Sequence, residues 1–262
     1  MLKRRLIPVL FLREGIMVRS EGFERHQHFG HPVSLVERMN QWDVDELIVL
    51  DISPEGADFT IQRDDHKLKG SESVLGFIAR IAAECSIPLT FGGRIRNFDD
   101  IRLRIQNGAD KVTLNSVLAE RPELVTEAAH AFGSQAIVAS IDHRRDGAAA
   151  PVFTHHGSRA LGRDAADWAR ELADRGAGEI FLNAIERDGA GQGYDLETID
   201  RVARAVEIPV IACGGCGHQM HFLKGFNDTA ASAIAAGNIF WFTENAYPRF
   251  KRFLRDRGVA VR

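Results

Sequence analysis

Apolar residues along the chain fall into two alternating patterns. Short apolar runs bounded by Pro, Gly or a charge read as buried strands. Stretches with an apolar residue every three or four positions read as helices with one face inward. The strand-type runs are Arg5–Phe11, Glu46–Asp51, Ile87–Gly93, Asp110–Leu114, Ala136–Ile141, Glu179–Asn183 and Ile208–Gly215, with a weaker eighth at Ala231–Ala236. Helical spacing joins Val33, Val36 and Met39 behind Pro32; Leu75, Ile78, Ala79 and Ala82 after Ser71-Glu72-Ser73; Ile101 and Ile105 after a capping Asn97; and Leu124, Val125 and Ala128 after Pro122. It recurs at Ala166, Trp168, Ala169 and Leu172, at Leu196, Ile199 and Val202, at Met220, Leu223 and Phe226, and at Phe250 and Leu254. Between these lie polar stretches. Arg13–His31, hinged at Gly15, Gly22 and Gly30, reads as a long loop of the kind that serves as a lid. Ser53–Gly70 carries Asp58, Asp64, Asp65, Lys67 and Lys69. Asp146-Gly147 followed by Pro151–Thr154 suggests a small β-hairpin insertion, and Asp188–Gly193 is too glycine-rich to be anything but a loop.

Strands alternating with amphipathic helices make a parallel sheet, and a count of eight favours closure. The expected fold is therefore α/β, a (β/α)8 barrel formed as a single domain over residues 1–262. Ile87-Pro88-Leu89-Thr90-Phe91-Gly92-Gly93 is echoed by Ile208-Pro209-Val210-Ile211-Ala212-Cys213-Gly214-Gly215, which suggests half-barrel repeats. Paired glycines leave backbone N–H groups bare at a strand end, where they can meet an anion; two ordinary strand-to-helix turns are the plainer reading. In such a barrel the chemistry lies where strands end. Phe11, Asp51, Gly92-Gly93, Asn115-Ser116, Asp142, Asn183, Gly214-Gly215 and Gly237 fall there. The opposite rim carries Arg5, Glu46, Lys111 and Glu179. Taken alone, that ring of alternating charge is a stability device.

Composition adds exclusions. Hydrophobic residues make up 45% and charged residues 26%, enough apolar material for a large core, and the net charge of −3 gives no reason to expect nucleic acid. No run is long enough to span a membrane. The basic start Met1–Arg5 lacks the features of a signal peptide, since the apolar run behind it stops at Arg13-Glu14. Three cysteines are too few for a disulfide framework, so a reduced, cytoplasmic protein is expected. Cys213 and Cys216 have a metal-ligand spacing, with His218 and His221 nearby, but their loop is the one that would contact an anion; no metal is expected there. His26, His28 and His31 read as solvated loop residues, and His155 and His156 as part of the insertion.

The residues resemble the HisF family, the cyclase subunit of imidazole glycerol phosphate synthase, along essentially the whole chain. Arg5–Pro8, Asp45–Leu47, Leu50–Ile52, Ile87–Thr90, Gly108–Val112, Phe132–Gln135, Thr154-His155, Gly176–Ile180, Arg187–Gly189, Gly193–Leu196, Ile208–Ala212 and Gly214-Gly215 carry the resemblance. It implies a half-barrel-duplicated (β/α)8 barrel that takes ammonia at its floor from a HisH-like glutaminase and passes it to a phosphorylated substrate at its mouth, without a cofactor. It assigns Arg5, Glu46, Lys111 and Glu179 to an ammonia gate and Asp110 to the glutaminase interface. It places phosphate or substrate contacts at Gly92, Gly93, Asn115, Ser116, Gly214, Gly215, Ala236, Gly237, Arg19, Asp51 and Asn183.

The mouth departs from the family pattern. Of the two aspartates that the family uses as acid and base, one is present as Asp142 and the other is replaced by Phe11. A family lysine appears as Arg19, the third glycine after the third strand is Arg94, and Gly237-Asn238 stands where the family has one small residue. A kept gate with a broken catalytic pair resembles the HisF-like paralogues of bacterial surface-polysaccharide clusters, as does Ala235–Glu244. Those are thought to supply ammonia to a separate ATP-dependent amidotransferase that makes acetamidino sugars. Three readings follow: a diverged ammonia-using synthase acting on a phosphorylated or nucleotide-linked molecule, a genuine cyclase of histidine biosynthesis, and a non-catalytic ammonia-conducting subunit.

Overall fold

The computed structural model describes residues 3–54, 73–84, 86–241 and 245–262. The charged stretch 55–70, Ser71, Glu72, Cys85 and residues 242–244 lie outside the described residues. In chain order the elements are β1 (Arg5–Arg13), β2 (Ile16–Glu21), β3 (Arg25–Gly30), α1 (Pro32–Gln41), β4 (Leu47–Asp51), α2 (Val74–Glu84), β5 (Leu89–Gly92), α3 (Phe98–Gln106), β6 (Lys111–Leu114), α4 (Leu124–Phe132), β7 (Ile137–His143), β8 (Pro151–Thr154), β9 (Arg159–Asp164), α5 (Ala165–Asp174), β10 (Glu179–Ala184), α6 (Leu196–Ala205), β11 (Val210–Cys213), α7 (Gln219–Asn227), β12 (Ala233–Ala236) and α8 (Ala246–Arg255).

Eight of these strands pair in parallel around a closed ring, β1–β4–β5–β6–β7–β10–β11–β12 and back to β1. The chain is thus a (β/α)8 barrel. The weak eighth strand is real: Ala233–Ala236 is buried throughout and closes the ring against Arg5–Pro8. Alternation along each strand separates two cores. Leu6, Leu10, Leu47, Val49, Leu89 and Phe91 face the helices, while Ile7, Val9, Ile48, Val138, Phe181 and Ile211 fill the barrel. The two glycine-ended strands, β5 and β11, stand four places apart in the ring of eight, as half-barrel repeats require.

Local chemistry starts the helices, at the expected cap Asn97 and at two caps that the sequence reading did not name. Asn97 accepts from the Asp100 N–H, Asp164 from Ala166 and Asp195 from Thr198, each side chain satisfying an orphan donor of the first turn. Tyr247 of α8 ties the barrel's base together. Its hydroxyl donates to the Leu6 carbonyl (2.9 Å) and accepts from the Asp45 N–H (2.8 Å), and Asp45 accepts from the Leu6 N–H (3.0 Å) and from Lys251 (2.7 Å).

Several sequence expectations need correction. The stretch Arg13–His31 is not an open loop: β2 and β3 form an antiparallel hairpin that extends β1, through pairs such as Phe11 with Val18. The polar side chains disguised it, because its outer faces meet solvent and the alternation is weak. In α2 the inward residues are Phe77, Ile78 and Ile81, while Ala79 is exposed. In α7 they are Phe222 and Phe226, and Met220 points outward at 37% exposure. The insertion has a further strand, β9, so that β8 pairs with both β7 and β9. Among the described residues no helix is long and apolar enough to cross a membrane.

Candidate functional site

At the barrel floor the four charged residues close into a ring. Arg5 Nη1 lies 2.6 Å from Glu46 and 3.1 Å from Glu179, and Lys111 Nζ lies 3.0 Å from Glu46 and 3.2 Å from Glu179. Each charge thus has two opposite neighbours. Arg5, Lys111 and Glu179 are the first residues of β1, β6 and β10, and Glu46 immediately precedes β4, so all four stand at strand starts. Glu46 also accepts from Thr90 Oγ1 at 2.8 Å. Burial works against its charge, but Lys111 and Arg5 outweigh burial and hold it below the usual carboxylate range. Asp110 is exposed beside this ring and accepts from the Leu89 N–H at 2.8 Å.

Above the ring Ile7, Val9, Ile48, Val138, Phe181 and Ile211 line the barrel interior as far as the mouth, where polar groups return. Asp142 at the end of β7 is buried. It accepts from Asn115 Nδ2 at 2.8 Å and from Asn183 Nδ2 at 3.4 Å, and Asn115 also donates to Ser140. Burial pushes its carboxyl up to about 7, with Asp188 adding to the rise and the two amides opposing it. A carboxyl poised near neutrality can both give and take a proton. Phe11 occupies the other side of the mouth and packs its ring on Gly237, 3.2 Å from where a Cβ would stand. Position 11 itself therefore offers no carboxylate to the mouth.

Two cavities at the mouth are lined by described residues. The larger, about 710 Å³, is lined by Phe11, Asp51, Gly93, Asn115, Ser116 and Asp142 among others. The smaller, about 390 Å³, is lined by Arg19, Arg25, Gly189, Gly217 and Asn238 among others. The β2–β3 hairpin stands between them, since Ser20 and His26 line both. It is pinned: Ser20 Oγ donates to Asp188 at 2.6 Å, the Gly22 N–H to the Asp188 carbonyl at 2.9 Å, and Asn238 Nδ2 to the Ser20 carbonyl at 2.9 Å.

Asp51 keeps one oxygen on the Ser53 N–H (2.9 Å) and leaves Oδ2 buried without a partner. Burial raises its pKa, against opposition from Ser53 and from Arg94 and Arg104. Gly93 is required beside it. With φ +91°, a Cβ there would lie 2.0 Å from the Asp51 carbonyl oxygen. Beneath the same turn Arg104 donates to the Gly93 and Arg94 carbonyls at 3.1 and 3.4 Å. This turns the loop's carbonyls inward.

The candidate residues thus divide. Asp51, Gly93, Asn115, Ser116, Asp142 and Asn183 meet at the larger cavity, and Arg19 at the smaller. Gly92 is buried within β5, Ala236 ends β12 in the helix-facing core, and Gly237 follows it against Phe11. Gly214 and Gly215 line neither cavity. They allow close approach of the β10 loop instead: a Cβ on Gly215 would lie 2.2 Å from the Gly193 carbonyl oxygen. Cys213 faces the barrel interior and Cys216 lines the smaller cavity, both thiols pushed up by burial. His218 Nδ1 accepts from the Met220 N–H and His221 Nδ1 from Gly217, so both rings serve the backbone. Among the described residues no group of three or more His, Cys, Asp or Glu side chains is set to hold a metal. Sequence reasoning missed Arg104, Ser20 and the cavity-facing role of His26, His155 and His156. Only the polar-loop pairing of histidines hinted at the last.

The sequence model of a family described as "Histidine biosynthesis protein" matches residues 5–245. The chain, a (β/α)8 barrel with a charged floor and a two-chambered mouth, belongs to that histidine-biosynthesis family.

Proposed function

We propose that this chain is the synthase subunit of a glutamine amidotransferase complex. Its floor docks a HisH-like glutaminase, ammonia crosses the barrel, and a phosphorylated or nucleotide-linked molecule receives it at the mouth. The observation that carries this reading is the closed ring of Arg5, Glu46, Lys111 and Glu179 across the axis. A barrel needs no such device for stability, since buried ion pairs rarely improve on apolar packing. Four paired charges at a bore make sense where a small polar molecule must enter on demand. Above them the bore is walled by apolar side chains, which keeps ammonia from water and from protonation. Asp110, exposed at the same rim, suits a partner contact.

At the mouth, Asn115, Ser116 and the N–H groups beside Gly93 suit one anionic group, and Arg19 with the Gly189 loop suits a second. Asp142 supplies one proton-transfer group. Phe11 supplies none, and the loss of a positioned acid–base group costs roughly a hundredfold to ten-thousandfold in rate. The chain therefore serves poorly as a cyclase of histidine biosynthesis. Its place is an amidation pathway, in which a separate ATP-dependent sugar amidotransferase completes an acetamidino group for a surface polysaccharide. Phe11 sealed on Gly237 also favours a second reading, in which the subunit only docks and conducts.

Co-expression with a HisH-type glutaminase tests this. The expected result is a stable complex whose glutaminase activity depends on this subunit, with slow or no consumption of the imidazole-pathway precursor. Failure of the two chains to associate, or association unaffected by Lys111→Glu, would overturn it.

A further inference from the structure

The larger cavity holds a further proton-transfer candidate, His156, which lines it together with Phe11, Asp51 and Asp142. The β8–β9 turn, His155-His156-Gly157-Ser158, is unusual. Its first three residues have φ of +52°, +56° and +78°. The Ser158 N–H donates to the His155 carbonyl at 3.2 Å, so the pair at the centre of the turn, His156 and Gly157, is left-handed, as in the mirror-image turns favoured by hairpins. Glycine or asparagine ordinarily fills such positions, and an imidazole there is held at a conformational cost. Strain of this kind persists where surrounding structure enforces it, and functional sites are where it concentrates.

The enforcing contacts lead directly to Asp142. The His155 N–H donates to Ser116 Oγ at 3.0 Å, and His155 Nδ1 lies 3.1 Å from Thr154 Oγ1. Ser116 follows Asn115, whose amide donates to Asp142. On the same hairpin Phe153 of β8 pairs with Asp142 itself. The turn is therefore fixed relative to the one remaining acid. His156 lines the larger cavity with Asp51 at the end of β4, His26 of β3 and its neighbour His155. The charges that act on it are those of Asp51, Arg13, His155 and His26. β1 carries Phe11, and Leu12 is in register with Asp51. His156 and Phe11 thus line one cavity, together with Asp51 of the strand paired with β1. Burial, His155 and Arg13 keep it mostly neutral near pH 7, while Asp51 favours its protonated form. Asp51 Oδ2, buried and unpartnered, has a free lone pair.

We propose that His156, backed by Asp51, is the second proton-transfer group of this mouth, replacing the carboxylate absent at position 11 and working opposite Asp142. The inference rests on the reading of the barrel as an ammonia-using synthase. The substrate is a molecule with an electrophilic carbonyl carbon, held by its anionic group at Asn115 and Ser116. Ammonia attacks that carbon, the new C–N bond forms, and the C=O pair moves to oxygen. The nitrogen's excess proton passes to neutral His156, and the oxygen takes the proton of Asp142. In the return half the nitrogen lone pair expels hydroxide, which leaves as water with the proton of His156, and the iminium returns a proton to the Asp142 carboxylate. Ammonia and carbonyl become imine and water, with both side chains restored.

Two measurements test this in the full chain. The first is turnover of the imidazole-pathway precursor, with ammonium salt as nitrogen source and enzyme in excess. Wild type should show a slow residual rate, and His156→Gln should lower it about a hundredfold. The loss should be markedly smaller in a Phe11→Asp background, where a carboxylate again shares the task. The second is the imidazole titration of His156 by nitrogen-15 NMR. Asp51→Asn should move its midpoint downward, because a neighbouring negative charge is lost. Equal losses in both backgrounds, an unmoved midpoint, or product from Phe11→Asp with none from wild type would each refute the role of His156. Absence of product from wild type and Phe11→Asp alike would refute the carbonyl-amination step and with it the role of His156, while the synthase reading beneath it fails separately, if the glutaminase does not associate.

Discussion

Glu46→Gln isolates the floor ring with the least change of shape. Glu46 accepts from Arg5, Lys111 and Thr90 at 2.6, 3.0 and 2.8 Å. The amide keeps the size and one acceptor but removes the charge, leaving two cations to share Glu179. Removing one partner of a buried pair costs about 3–5 kcal/mol. Here the side chains of Arg5 and Lys111 remain 13% and 17% exposed, so water screens part of the loss, and about 2–3 kcal/mol is the expected cost. Unfolding entropy near 2.1 cal/mol/K per residue gives about 0.55 kcal/mol/K for a chain of 262 residues. The expected drop in Tm is therefore about 4–5 °C by scanning calorimetry at pH 7. The pH dependence has a definite sign. Because the folded pKa of Glu46 is depressed, its contribution is present above the unfolded value of 4.5 and is lost as pH falls through the folded value. The gap between wild type and variant should therefore shrink in acid below that unfolded value. An unchanged Tm at pH 7, or a gap that persists undiminished in acid, would refute the ring as described.

Gly93→Ala sets a Cβ 2.0 Å from the Asp51 carbonyl oxygen at a φ of +91°; it should cost roughly 2–4 kcal/mol and weaken inorganic phosphate binding, measured by calorimetry. Asp142→Asn should lose turnover yet gain stability in mild alkali. The carboxyl's pKa is raised from 3.8 to about 7, so the folded state holds the extra proton and wild-type stability falls as pH rises between those values. The gain at pH 8, read from denaturant unfolding, is at most about 4 kcal/mol, and the unpartnered Asn183 Oδ1 is available to accept from the new amide.

The barrel was legible because its strands obey simple rules. Buried parallel strands are short apolar runs, and the helices between them carry caps such as Asn97 and Asp164 whose side chains do the work their type suggests. The floor was legible because four charges fall at strand starts, although only the family resemblance gave them a purpose. The hairpin of β2 and β3 was not legible, since His26, Gln27 and His28 mask any alternation with polar outer faces. Nor was the role of Gly214 and Gly215, which depends on how near the β10 loop comes. Positive φ at His155 and His156 leaves no trace in residue type, because nothing in a histidine pair announces a left-handed turn. Arg104 carries no signal of its role in the sequence; only the fold brings it under Gly93 and Arg94.

The central claim joins an intact floor to a mouth altered by one aromatic ring. Comparing wild type with Phe11→Asp for consumption of the imidazole-pathway precursor, at saturating ammonium, tests it most directly. The account predicts that wild type runs slower than the variant, by less than the roughly hundredfold to ten-thousandfold that an unreplaced group costs, because His156 supplies part of the lost function. Equal rates would contradict it, because they would mean that Phe11 removes nothing the reaction needs.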